Sequence, residues 1–526
     1  MSSPGVDPEL VPATPRVSGT AATMTIIVTG LGYAVSAADP TILCTNIAAV
    51  RAGLNLSISA GSFVASLATL TLAAAVLGAG ALGDLYGKKR MYVYGLLGTI
   101  AFGLLAAAAP NGVVLVLARA GVGVAFAFLV GLSLAIVNEV FPPERRKSAI
   151  ALFLAAGFAI TAPLPAIGTM LAQQFGWRTC FLVAPAVAVI GLAITVRYVP
   201  ETPRAARRLD VAGLILIAAA LLGVVYGISR LERGFTAGAV APILVGLVAG
   251  VGFVFRELRT PDPALDLRVF RSGPFNAAVI AGITWDFLTG GATILFAFYL
   301  VTVRGESPEI LGLLLIPTMA LQALAATESG RAAIRFGDRA ILVTGLVVLL
   351  AGLLAITLLG ENTSMLVLFI AVALNGIGSA IVQTPQSTIM MASAPAELGG
   401  AVSAVKAALG QAGYSLGPAL FSAVGIWLFF QDGMRKLAEM GITVGQAREA
   451  LRVTHGGTVV AAHGEQVLDP QRARQLVQGA EQCMLFAIHT LSLIMAVVPI
   501  VAIVMALVLL RPKPARGEQS TEKSSN

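Results

Sequence analysis

The sequence predicts an all-α membrane protein in which two six-helix bundles flank two further, centrally inserted helices. Three observations carry this expectation. Fourteen apolar stretches, each long enough to cross a bilayer, fill most of the 526 residues, and 57% of the chain is hydrophobic against 12% charged. A mean hydropathy of +0.87 leaves more apolar surface than a water-soluble globule could hide. Arg and Lys collect in alternate loops, and a basic turn that follows the second stretch returns after the tenth.

Hydropathy places the spans at 22–44, 59–80, 91–110, 113–136, 149–172, 179–196, 211–229, 237–255, 274–300, 310–327, 340–360, 364–392, 399–430 and 484–510. Fourteen helices of about 20 residues need roughly 280 residues, which leaves room for loops and tails. The divisions that follow are a tail at 1–21, an amino-terminal bundle at 22–196, a linker with two extra helices at 197–273, a carboxyl-terminal bundle at 274–510 and a tail at 511–526. One large external loop, 431–482, interrupts the last bundle, with Arg435, Lys436, Glu439, Arg448 and Glu449 set among apolar positions as short interfacial helices would require. The first apolar segment lacks a small-residue cleavage site and is expected to be retained as a span. With 56 glycines and only 6% aromatic residues, the helices are expected to pack closely.

Lys88, Lys89, Arg90, Arg145, Arg146, Lys147, Arg331, Arg335 and Arg339 lie in gaps on one side. Gaps on the other side hold Arg51, Arg178, Arg230, Arg233 and Arg304. The asymmetry predicts both termini in the cytoplasm. A net charge of +8 spent on membrane boundaries is no nucleic-acid footprint. Cys44, Cys180 and Cys483 are too scattered for a metal or redox site; free thiols are the expectation and a Cys180–Cys483 bridge the alternative. Neither a nucleotide-binding loop nor an ATPase domain is present, so neither an enzyme nor a cofactor is expected.

The recurring turn reads Gly80-Ala81-Leu82-Gly83-Asp84-Leu85-Tyr86-Gly87-Lys88-Lys89-Arg90 at first and Gly330-Arg331-Ala332-Ala333-Ile334-Arg335-Phe336-Gly337-Asp338-Arg339 later, with glycines seven residues apart in both. Two equivalent bundles formed by spans 1–6 and 9–14 place both turns at the same position. Gly80 through Arg90 resembles the Gly-x-Leu-x-Asp-x-x-Gly-Arg-Lys-Arg signature of the major facilitator superfamily, and the fourteen-span layout resembles its drug:proton antiporter branch. The likeness covers about residues 22 to 510. It implies the major facilitator fold and a gate near Gly80, Asp84, Gly87 and Arg90.

Arg119-Ala120-Gly121-Val122-Gly123-Val124-Ala125 resembles the family's fourth-helix signature Arg-x-x-Gln-Gly-x-Gly, with Val122 and Ala125 departing from it. The resemblance implies a part for Arg119 in proton coupling; a structural ion pair is the other reading of a charge inside an apolar span. Asp39, in Ala38-Asp39-Pro40-Thr41-Ile42, resembles the first-helix Asp-x-Thr-Ile signature and is the acidic partner expected to take up and release a proton, or to hold helices 1 and 4 together through Arg119. Pro165 and Gly168 match part of the antiporter signature Gly-Pro-x-x-Gly-Gly, and with Pro163 they are expected to shape a gate, while Leu164 and Thr169 replace its flanking glycines and should loosen the helix approach.

In the carboxyl half, Asp286 is a third proton-coupling candidate and Lys406 an unusual intramembrane cation. Trp285, Asn375, Gln383, Gln386 and Gln411 join Lys406 as substrate-binding candidates, since a mixed lining suits an amphipathic molecule. The resemblance implies proton-coupled export of lipophilic or cationic small molecules by alternating access in an inner or plasma membrane. The expected partners are lipids, protons and an amphipathic substrate, with no nucleic acid and no obligate protein partner. The residues themselves leave open carriage of anionic metabolites or lipids, and a transporter-like receptor or structural protein.

Overall fold

The computed structural model describes residues 19–510 except 57, 203, 205–209, 231–235, 261–266, 307–308, 394–398 and 440–469. Both tails lie almost wholly outside that range. Helices begin where hydropathy and capping agree. They are α1 (Gly19–Leu54), α2 (Ile58–Tyr86), α3 (Lys88–Ala107), α4 (Gly112–Val140), α5 (Pro143–Thr161), α6 (Leu164–Phe175), α7 (Val183–Tyr198), α8 (Val211–Ser229) and α9 (Ala237–Glu257). The chain continues as α10 (Gly273–Phe298), α11 (Glu309–Phe336), α12 (Asp338–Ala355), α13 (Met365–Ala392), α14 (Gly399–Glu439), α15 (Pro470–Met495) and α16 (Val497–Leu509). Among the described residues there is no strand, and fourteen segments are long and apolar enough to span a membrane. Side-chain oxygens of Asn111 and Ser364 accept from Val114 and Val367 amides at 3.0 and 3.4 Å, satisfying donors that a helix start leaves open.

The predicted loop 431–482, expected to carry short helices, is entered by a helix at each margin. Helix α14 runs on to Glu439 and α15 starts at Pro470, so both margins of that interval are helical. A helix already has its backbone groups paired and need not stop where its side chains turn polar; Arg435 and Asp432, one turn apart, pair at 3.6 Å on this extension. The region between, 440–469, lies outside the described residues.

The echo in the sequence is also an echo in conformation. Gly87 precedes α3 with φ 98°, and Gly337 precedes α12 with φ 85°. Left-handed backbone costs little only for glycine, and both turns use it to send the chain straight into the next helix.

At the end that carries these basic turns, one apolar core runs through both bundles, from Val76, Leu132 and Phe153 to Leu342, Ile389 and Val402. At the opposite end the core divides. Ile42, Val64, Leu115 and Phe181 form one part within the first bundle, and Leu300, Leu353, Phe421 and Ile488 form the other within the second. The bundles meet where α2 packs on α14 and α5 on α11. Near the basic turns, Lys147 Nζ of α5 donates to Asp338 Oδ2 of α12 at 2.7 Å.

The inserted helices α8 and α9 pack chiefly on each other, and α8 rests on α2 and α14. A side chain at Gly223 would come within 2.6 Å of the Pro242 carbonyl oxygen, so this backbone contact requires glycine. Asp210 caps α8 through the Gly213 amide at 3.0 Å and accepts from Arg256 Nη2 of α9 at 2.7 Å. Burial pushes the Asp210 carboxyl up, but the Arg256 hydrogen bond, the Gly213 amide and the guanidinium charge outweigh it and hold the group below its ordinary value. The stabilisation is therefore complete above the ordinary aspartate range and is lost as pH falls through the lowered folded value. Acidification to that point, or Asp210→Asn at neutral pH, should lower the protection of amides 211–214 relative to their intrinsic exchange rates at the same pH. Unchanged protection in both conditions would remove the clamp assigned to this pair.

Candidate functional site

Asp39 lies on α1 and Arg119 on α4, both inside apolar spans and both buried. The guanidinium meets the carboxylate with two bonds, Nη1 to Oδ1 at 2.9 Å and Nη2 to Oδ2 at 2.6 Å. Two-point contact is the geometry in which a buried pair offsets the loss of water. Arg119 Nε has no partner, leaving one donor of the group unsatisfied. One turn along, a side chain at Gly123 would run into the Thr71 hydroxyl and the Ala68 carbonyl of α2. That position of the fourth-helix signature thus serves close packing, which brings α4 to the depth at which Arg119 reaches Asp39.

Across the molecule, Asp286 of α10 is buried and Lys406 of α14 is half-buried. They interact electrostatically without forming a direct ion pair. Small residues make the meeting possible: a side chain at Gly410 would lie 2.7 Å from Asp286 Oδ2. Gln411 is half-buried on the same helix.

Of the two glutamines that flank Pro385, Gln386 is held inside its bundle, accepting from Trp285 Nε1 at 3.1 Å and lying 3.9 Å from the Met390 sulfur. Gln383, only 1% exposed, completes no hydrogen bond at either amide atom, although the Tyr33 hydroxyl of α1 lies within hydrogen-bonding reach of its side chain. Leaving such a group unpaired costs about 1–3 kcal/mol. Pro385 supplies no amide hydrogen, and the Ile381 carbonyl that it frees instead accepts from the Ser329 hydroxyl of α11 at 2.9 Å. Asn375 is buried with an unpartnered side-chain nitrogen, its backbone close against Gly352 of α12.

Tyr33 of α1, which the sequence reading passed over, joins these groups. It lies beside Gln383 and within electrostatic reach of Asp286 and Tyr414, and Phe153 and Phe158 of α5 brace its ring edge-on at centroid distances of 6.1 Å. Tyrosines in apolar helices are ordinary, and only the apposition of bundles marks this one. Cys44 is exposed on the same helix and lies near Tyr414.

The gate candidates separate into two places. Asp84 is buried and reaches Lys88 Nζ at 3.3 Å, and Lys88 also meets Glu139 Oε2 of α4 at 2.9 Å. The Lys88 amide donates to the Thr202 hydroxyl at 2.8 Å, tying the turn that Gly80 and Gly87 flank to the chain after α7. Arg90 points elsewhere, 5.8 Å from the Tyr94 ring centre, and is exposed. Pro163 and Pro165 sit at the break between α5 and α6 toward the opposite end, where a side chain at Gly168 would come within 2.6 Å of Ile42 on α1. Thr169, a departure from the signature, shares a 3.0 Å hydrogen bond with Thr45 of α1, so a polar contact stands where the signature has glycine. None of the three cysteines forms a disulfide, Cys180 and Cys483 being buried in the cores of opposite bundles.

A sequence model of the Major Facilitator Superfamily matches residues 29–428. The multidrug resistance protein Stp of Mycobacterium tuberculosis (strain CDC 1551 / Oshkosh) is 32% identical over 416 residues, 77% of this chain and 76% of Stp. The multidrug efflux pump LfrA of Mycolicibacterium smegmatis is 30% identical over 478 residues, 88% of this chain and 93% of LfrA. The tetracenomycin C resistance and export protein of Streptomyces glaucescens is 28% identical over 413 residues, 76% of this chain and 75% of that protein. In fold, the chain resembles the human organic anion transporter MFSD10 (TETRAN), with a TM-score of 0.58 and 16% identity over 93% of this chain and 98% of that one.

Proposed function

The chain belongs to the major facilitator superfamily, and on that footing we propose that it exports lipophilic or cationic small molecules by alternating access, driven by inward proton movement. It is a multi-pass membrane transporter and not an enzyme. Export is supported by relatives that carry multidrug efflux and antibiotic export in their names.

One observation carries the mechanism: the core is continuous at the basic end and divided at the other, with Tyr33 of the first bundle in electrostatic reach of Asp286 of the second where the division begins. The basic end faces the cytoplasm in this reading, as the loop charges favour, with both termini on that side. Rocking about the middle would exchange the sealed and open ends. Protonation of Asp39 neutralises the carboxylate that Arg119 grips, which gives proton uptake a direct hold on the packing of α1 against α4. Asp286 offers a second carboxylate, on the cargo side of the cycle.

Proteoliposomes under an imposed pH gradient test this reading. Cationic amphiphiles should provoke proton movement, and anionic ones should not. Lys406 favours the second reading, an anionic metabolite or lipid, because it holds a positive charge in the span without a direct ion pair. Lys406→Ala should raise cation flux several-fold relative to neutral cargo by unmasking Asp286. A loss confined to anionic cargo would transfer the assignment to the second reading.

A further inference from the structure

We infer that the Gln383 side chain, facing Tyr33 across the seam between the bundles, recognises cargo that presents a hydrogen-bond donor and acceptor on one edge, such as a carboxamide, a lactam or a vicinal hydroxy-ketone. The inference rests on the export reading and narrows its substrate class.

Several buried side chains have one polar atom without a partner, but among the described residues Gln383 alone has two. Its backbone is not the cause: the Gln383 carbonyl accepts the Ser387 hydroxyl at 2.6 Å. Nor does the neighbouring amide share the condition, since Gln386 is engaged by Trp285. A methionine would fill a similar volume in this apolar setting with nothing left unpaired. The Tyr33 hydroxyl beside it completes no bond with it, so the amide keeps both a donor and an acceptor for something that arrives. Its oxygen accepts and its nitrogen donates side by side, so the complementary edge must donate and accept in the same spacing.

The surroundings suit an amphiphile. Tyr33 lies at the depth where the shared core gives way to separate ones, with Val35 in the first and Ala34 and Ala38 in the second. Its ring offers an aromatic wall, and Asp286 lies within electrostatic reach for a cationic centre. Gln383 then sets orientation, and the apolar flanks supply area.

Calorimetry on the detergent-purified full chain tests this with two probes, a triphenylphosphonium cation bearing a carboxamide arm and the same cation bearing a methyl ester arm. The wild type should bind the carboxamide about tenfold more tightly. Gln383→Met should bring that ratio to about one while the cargo-free melting temperature holds or rises, because removing an unsatisfied amide relieves the empty site. Gln383→Asn retracts the amide by one methylene and should also collapse the ratio, which covers a failure of the first variant to fold. Equal binding by the wild type, or a ratio retained in the variants, overturns the inference. Absence of flux for both probes with the binding ratio intact would remove the export reading and leave the recognition site standing.

Discussion

Asp39→Asn is expected to abolish cargo-driven proton movement and at the same time to destabilise the protein, because it leaves Arg119, 1% exposed, without a carboxylate. Breaking a buried pair by removing one partner typically costs about 3–5 kcal/mol, whereas neutralising both partners can cost little. The double variant Asp39→Asn with Arg119→Gln therefore separates the two roles. Both charges are gone, the amides can still bond to each other, and most of the thermal stability should return. Coupling should not return, since no group at this position can then take up a proton. The readouts are melting temperature and pH-gradient-driven proton flux on the same preparations. Recovery of flux along with stability in the double variant would reduce the pair to a brace between α1 and α4. Undiminished flux in the single variant would move coupling to Asp286.

Much of this arrangement was legible in the chain. Spans follow hydropathy because lipid forces backbone groups to be satisfied within each segment. Asp39 and Arg119 announced themselves as charges where charges are costly, and the structure joins them. Asp286 and Lys406 were found by the same signal, but charge alone did not say that they would stay unbridged. Tyr33 and the Lys147–Asp338 contact were not legible. The latter pair is 191 residues apart, and each member looks like any boundary charge until the bundles are brought together. At the margins of 431–482 the helices are continuations of spans, which the sequence did not reveal because helices outlast the apolar pattern that marks them. Thr169 adds what the signature could not say: where glycine is replaced and a looser approach is expected, a hydroxyl bonds across to Thr45.

Gly330→Val is expected to prevent the basic end from sealing. Gly330 of α11 faces Ala151 of α5, and even a methyl at this position would overlap the Ala151 side chain. The bonded pair Lys147 and Asp338 closes the same seam. Overpacking costs about 1–3 kcal/mol, and here the cost falls on the sealed state alone, because separation of the bundles relieves it. That shifts the balance of states by roughly five- to 150-fold and should cut turnover accordingly. Cys44 reports the shift: it is exposed, on the half of α1 beyond Asp39, and within electrostatic reach of Tyr414 on α14 of the other bundle. Its labelling by a membrane-impermeant maleimide should slow in Gly330→Val as the opposite end closes. Lys147→Ala should act in the same direction but by less, about 1 kcal/mol or below for a pair this exposed. Gly312→Val, on the same helix with open space around it, should leave labelling unchanged. Equal slowing in that control would trace the effect to helix α11 itself, and unchanged labelling in Gly330→Val would mean that the contact with Ala151 does not distinguish the two states.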